Sequence, residues 1–212
     1  MLDFIFNAFI TLFVVIDPVG VATIFAALTF NETEAHRRTM AFKGSLIAAI
    51  LLLAFTLVGA WLLETLGISL AAFRIAGGIL LFFLAIDMVL ARDSGLRSTT
   101  LRENEEAATR QDISVFPLAI PLIAGPGGLT SMLLLTDTGG AGLGGPQSTL
   151  IVIAVLFVVL LITLASLLVA GRLIKVIGVT GSGVISRVLG ILLAALAVQF
   201  VIDGLQASFS IL

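Results

Sequence analysis

The chain has no cysteine and no tyrosine, a single histidine and a single tryptophan, and only 11% of its 212 residues are charged. Without cysteine there is no disulfide, no thiolate metal site and no cysteine nucleophile. His36 sits beside Arg37 and Arg38 in a polar loop, and no apolar stretch holds a histidine, a cysteine, a tyrosine or a carboxylate pair. Proton transfer and metal activation need such groups at close quarters, so an enzyme, a metal site and a cofactor are not expected. Lys and Arg number 11 against 13 acids, which leaves no basic patch for nucleic acid. What is present is apolar: 59% hydrophobic residues and a mean hydropathy of +1.23. Such a chain is an integral membrane protein whose surroundings are the lipid bilayer.

A helix needs roughly 20 mainly apolar residues to cross the hydrocarbon core. Six stretches qualify, at 4–29, 44–63, 68–90, 113–137, 148–170 and 184–205. The N-terminal stretch lacks the positive region and small-residue cleavage site of a signal peptide, and reads as the first span. The spans are long and rich in Leu, Ile and Ala rather than alternating over about ten positions as barrel strands do, so the fold class is all-α. Ten of the eleven basic residues fall in the odd-numbered connections: Arg37, Arg38 and Lys43; Arg92, Arg97, Arg102 and Arg110; Arg172, Lys175 and Arg187. By the positive-inside rule these loops are cytoplasmic and both termini face outward, in the inner (cytoplasmic) membrane of a cell. The Gly-rich stretch 139–145 lacks the Lys-Ser/Thr ending of a phosphate loop and reads as a flexible outer connection.

The chain reads as two copies of one unit. In the third span, residues 78–88 match residues 190–200 of the sixth at an offset of 112, with Arg74 and Arg187 just upstream. Asp17-Pro18-Val19-Gly20 in the first span pairs with Gly125-Pro126-Gly127-Gly128 in the fourth. Each copy has an odd number of spans, so the second is inverted relative to the first, as in many secondary transporters. The expected organisation is one membrane domain: repeat one at 1–91, a cytoplasmic linker at 92–112 and repeat two at 113–212.

Proline inside a helix removes a hydrogen bond and clashes with the preceding turn. In hydrocarbon the freed groups must be buried in protein or line a wet cavity. Pro18 and Pro126, the latter reinforced by Pro117 and Pro121, therefore predict that the first and fourth spans are discontinuous helices meeting at the midplane. A break offers N–H groups at the start of its second half and carbonyls at the end of its first, which suits a zwitterion. The candidate substrate- and ion-binding residues are Asp17, Pro18, Gly20 and Thr23 in the first break and Gly125, Pro126, Gly127, Gly128, Thr130 and Ser131 in the second, the small ones leaving space for a ligand. Asp17 is the only acid near the centre of a span. It can couple protons or a cation, meet a substrate ammonium, or simply cap the helix that begins at Pro18. Arg74, Asp87, Arg187 and Gln199 are candidate gating or path-lining positions, with interfacial solvation or snorkelling as the plainer account.

Asp17-Pro18-Val19-Gly20, residues 73–81 and residues 113–127 resemble the MarC family of bacterial and archaeal inner-membrane proteins, and the resemblance runs essentially end to end. It implies kinship with the LysE-type amino-acid exporters, one archaeal relative being associated with small neutral amino acids such as glycine and alanine. The family's first motif, Asn or Asp followed by Pro-x-Gly, falls on Asp17, Pro18 and Gly20. Its second proline, three residues after the glycine, corresponds to Thr23: either the second half-helix starts differently or the site gains a hydroxyl. The expected function is a secondary transporter of a small, neutral zwitterionic solute, with protons or another cation as coupling partner. A small-solute channel and a non-transporting membrane assembly protein are the alternatives.

Overall fold

The computed structural model describes residues 1–91, 112–137 and 145–209. They are helical, with no strand among them. In chain order they form α1 (Leu2–Ile16), α2 (Pro18–Leu28), α3 (Glu34–Thr65), α4 (Leu70–Leu90), a proline-interrupted segment Ser114–Ile123, α5 (Pro126–Asp137), α6 (Gly145–Leu168) and α7 (Ala170–Phe209). Five stretches are long and apolar enough to cross a bilayer: Leu2–Leu28, in which α1 and α2 run on, Glu34–Thr65, Leu70–Leu90, Gln147–Leu168 and Thr180–Phe209. Ser114–Ile123 and α5, bent by 51° at their junction, make a sixth if taken together. The protein is an integral, multi-pass membrane protein. The expected linker, apart from Asp112, and the Gly-rich stretch before Gly145 lie outside the described residues.

Two boundaries differ from the expectation. Residues 34–43 are not a loop but the first turns of α3, because Thr33 caps the helix by accepting from His36 N at 3.3 Å and Glu34 pairs with Arg38 one turn on at 2.7 Å. Hydropathy marks the lipid-soluble part of a helix, not its ends. Residues 171–183 are not an irregular connection either. They are helical up to Gly178, where φ 72° and ψ 165° turn the chain, a region essentially restricted to glycine.

Packing falls into two bodies. The larger gathers α1, α2, α3, α5, α6 and the 114–123 segment around Leu12, Ile16, Phe25, Leu52, Leu118 and Leu156. The smaller joins α4 to α7 through Leu81, Ala85, Leu193 and Ala197, with Val14 and Val15 of α1 at its edge. Between helices in lipid the hydrophobic effect supplies no drive, so close approach at small residues does the work. A Cβ on Gly78 would lie 2.7 Å from Ala197 O, with Val201 beside it; one on Gly190 would lie 3.2 Å from Ala85 O, with Val89 beside it. These contacts are reciprocal at the offset of 112 residues seen in the sequence, and they run in opposite directions along the two helices.

Candidate functional site

Asp17 sits between α1 and α2 in a left-handed conformation, φ 47° and ψ 72°. Aspartate is one of the few side chains that visits this region. Its N–H donates to Phe13 O at 2.9 Å and its carbonyl accepts from Val21 N at 3.0 Å, so both helices keep their backbone bonds across the junction. One carboxylate oxygen caps α2 by accepting from Gly20 N at 3.0 Å. The other accepts from the Ser186 hydroxyl at 3.1 Å. Asp17 has no exposed surface, and Gly20 admits nothing larger: a Cβ there would lie 2.3 Å from Asp17 Oδ2. The capping role is thus present together with a contact that capping does not require.

That contact comes from the far end of the chain. One turn before Ser186, the Ser182 hydroxyl lies 2.5 Å from Thr23 Oγ1, and Thr23 donates its own hydrogen to Val19 O at 2.9 Å. Ser182 is therefore the donor. Two serines four residues apart share one face of α7 and latch onto α2 at Asp17 and Thr23. α2 begins at Pro18 with a regular cap, and the Thr23 hydroxyl gives its hydrogen to Val19 O, so it adds no free donor to the site. Sequence reasoning did not select Ser182 or Ser186. Nothing in the sequence marks them: at the offset of 112 Ser186 falls on Arg74 and Ser182 on Leu70.

The second break lies against the first. Gly127 faces Val15, two residues before Asp17, and Leu81 of α4; a Cβ would lie 3.2 Å from Val15 Cγ1 and 2.8 Å from Leu81 Cδ2. Upstream, Leu118 N donates to Ile113 O and Ala124 N to Ala119 O, five residues back, the wide turn of a π-type segment. Phe116 and Ile120 are extended, and their bonds to Pro117 and Pro121 are cis. Gly125 fits only as glycine, 2.4 Å from Pro121 O by the same measure. The expected ligand space is filled: Leu52, Leu81 and Val15 pack on Gly127 and Gly128, and the cavity lined by Val15, Leu84 and residues 121–128 measures about 20 Å³. That is room for one water, not for an amino acid. The reason is that α5 uses its glycines for close helix contact. Pro18 is buried and Pro126 exposed. Thr130 is buried against Gly77, and Ser131, with no exposed surface, has no hydrogen-bond partner for its hydroxyl among the described residues.

The four outlying candidates are scattered. Arg74 reaches Asp137 at the end of α5, 3.5 Å away. Gln199 is exposed and donates to Asp203 at 2.7 Å. Arg187 is exposed, and Asp87 is half-buried one turn from the end of α4. No group of three or more metal-ligating side chains occurs among the described residues. On the face with the basic residues, Lys43 pairs with Asp112, and this ammonium, helped by the Ser114 hydroxyl and N–H, holds the Asp112 carboxyl down at about 2.

Comparison with known proteins adds the relatives. The model of a family described as "MarC family integral membrane protein" matches residues 2–209. The chain is 36% identical to a UPF0056 membrane protein of Archaeoglobus fulgidus, over 96% of this chain and 93% of that one. It is 35% identical to the UPF0056 membrane protein YvbG of Bacillus subtilis, over 100% and 99% of the two chains. The UPF0056 membrane protein YhcE of Escherichia coli is likewise 35% identical, over 96% and 93%. No solved structure matches the chain.

Proposed function

Because this chain belongs to the MarC family of integral membrane proteins, we propose that its buried polar site serves transport, and that it is a secondary transporter of a small, neutral zwitterionic solute such as glycine or alanine. The observation that carries this reading is a carboxylate with no exposed surface, set in a break between apolar helices and held from 169 residues away by Ser186. A helix cap needs no such partner. Asp17 receives the solute's ammonium group or a coupling proton. The solute's carboxylate goes to the free N–H groups of Gly127 and Gly128 in the first turn of α5.

The conformation described is the closed one. Opening parts the Thr23–Ser182 and Asp17–Ser186 hydrogen bonds, each worth about 1 kcal/mol net, within the few kcal/mol by which a bound ligand shifts such an equilibrium. The chain is two inverted three-helix repeats, 1–91 and 113–212, joined by 92–112, with a discontinuous span in each. The motion parts the α4–α7 pair from the larger body, since each packing body takes helices from both repeats. Support comes from the Gly78–Ala197 and Gly190–Ala85 contacts, since a two-fold relation brings residue i of one copy onto j of the other and the reverse. Charge distribution supports the orientation, with the basic loops in the cytoplasm, both termini outside and the inner membrane as the location. A standing pore is disfavoured, because the second break leaves only about 20 Å³.

The test is uptake of labelled glycine or alanine by proteoliposomes, with and without a pH gradient. Saturable uptake, counterflow from preloaded vesicles and acceleration by the gradient are expected. Linear flux without counterflow would establish a pore instead, and absence of any flux under all gradients would end the transport reading.

A further inference from the structure

On the basic face, the end of α2, the start of α3, the end of α6 and the start of α7 enclose a groove of about 1000 Å³. Four cations line it, Arg37, Arg38, Arg172 and Lys175, against one acid, Glu34. Glu34 is engaged by Arg38 at 2.7 Å, and Arg37, Arg172 and Lys175 have no ion-pair partner among the described residues. The Arg37 guanidinium lies against Gly171, where a Cβ would stand 3.0 Å from one terminal nitrogen. Its Nε is buried and has no hydrogen-bond partner among the described residues. The guanidinium is thus held against the first turn of α7 at Gly171, with a donor to spare. The remaining wall is apolar, and two of its aromatic rings stand open, Phe30 at 83% and Phe42 at 55% exposure.

We propose that this groove binds an anionic phospholipid. The phosphate is held by Arg37, Arg172 and Lys175, and an acyl chain lies along Phe30, Phe42 and Leu168. Charge selects an anion, since Arg37, Arg172 and Lys175 line one groove without an ion-pair partner among the described residues and the one lining carboxylate, Glu34, is engaged by Arg38. The open rings and aliphatic wall border the bilayer hydrocarbon, so a lipid keeps its acyl chain there while its phosphate meets the cations, which a soluble anion does not do. Basic pockets between membrane helices on the cytoplasmic side suit such headgroups. Thr23 forms the inner end of the groove, so the occupant stands one hydrogen bond from the Ser182 latch. The site does not depend on the transport reading, and binding is measured without transport.

The test uses the full chain in neutral detergent, titrated with phosphatidylglycerol or phosphatidylcholine and followed by native mass spectrometry and thermal shift. Phosphatidylglycerol is expected to bind and stabilise, and phosphatidylcholine not. In R172Q/K175Q the loss of two charges, each worth about fivefold, should weaken phosphatidylglycerol about 30-fold, while the charge-preserving R172K/K175R keeps binding. If the double variant melts early without lipid, K175Q alone should show the fivefold loss. Equal binding of the two lipids, or undiminished selectivity in the folded glutamine variants, would overturn the proposal. So would glycerol phosphate stabilising as strongly as the lipid, which would make the groove a soluble-anion site.

Discussion

Replacing Asp17 by Asn and by Ala separates its two duties. Asn caps a helix about as well as Asp and tolerates a positive φ. It retains an acceptor for Gly20 N, and the Ser186 hydroxyl can rotate to accept from the new amide. Asp17→Asn should therefore cost no more than about 1 kcal/mol of stability, the scale of one rearranged hydrogen bond. Asp17→Ala loses the cap, about 1 kcal/mol, and forces alanine to φ 47°, about 1–2 kcal/mol. It also strands the partly buried Ser186 hydroxyl, about 1 kcal/mol or more. These add to roughly 3 kcal/mol or more, a loss that lowers the melting temperature clearly. The assay is thermal unfolding in detergent together with amino-acid uptake in proteoliposomes under a pH gradient. The transport reading expects Asp17→Asn to be nearly as stable as the parent yet deaf to the gradient. If Asp17→Asn transports as the parent does, with the same acceleration, Asp17 is a cap and no more.

Gly178→Ala places a side chain at φ 72°, where the cost is about 1–3 kcal/mol. Nothing lies within 4 Å of the added Cβ, so the loss is purely conformational, and an asparagine, which tolerates the left-handed helical region but not ψ 165°, should lose as much. Gly78→Ala and Gly190→Ala each drive a methyl group into the facing helix. Both should lower the melting temperature by similar amounts, in the range of about 1–3 kcal/mol for overpacking; a large effect at one and none at the other would argue against the two-fold relation. Asp112 has a carboxyl lowered from 3.8 to about 2, so its pairing with Lys43 stabilises the fold above about pH 4 and is lost as pH falls toward 2. Because both side chains are about half exposed, the effect is small. Thermal melts between pH 5 and 2 should show a slope that is shallower in Asp112→Asn.

The sequence carried what neighbouring residues decide. Apolar runs of twenty residues marked the spans, and an aspartate before a proline marked the start of α2, since hydropathy and capping depend on a few adjacent positions. Matched residues at an offset of 112 were legible too, because they recur in order. Helix ends at Glu34 and Gly178 were not, as polar residues there continue a helix whose apolar part is shorter. The fourth stretch bends by 51° where its prolines and glycines cluster, and the glycines read as open space are packed over by side chains. Whether a glycine makes room for a ligand or for another helix depends on which side chain stands opposite, here Val15 and Leu81.

The latch was decided by tertiary structure alone. Ser182 and Ser186 meet Thr23 and Asp17 across 159 and 169 residues, and in the sequence Ser182 falls in a stretch read as a connection and Ser186 just inside the sixth span. Their facing follows from the turn at Gly178 and from the seam between α4 and α7, where Gly78 and Gly190 fix how far the helices approach and how they are rotated. A hydrogen bond reaches only about 3 Å and falls off steeply with angle. The sequence could therefore name the carboxylate, while only the packing of helices from both ends of the chain could name its partner.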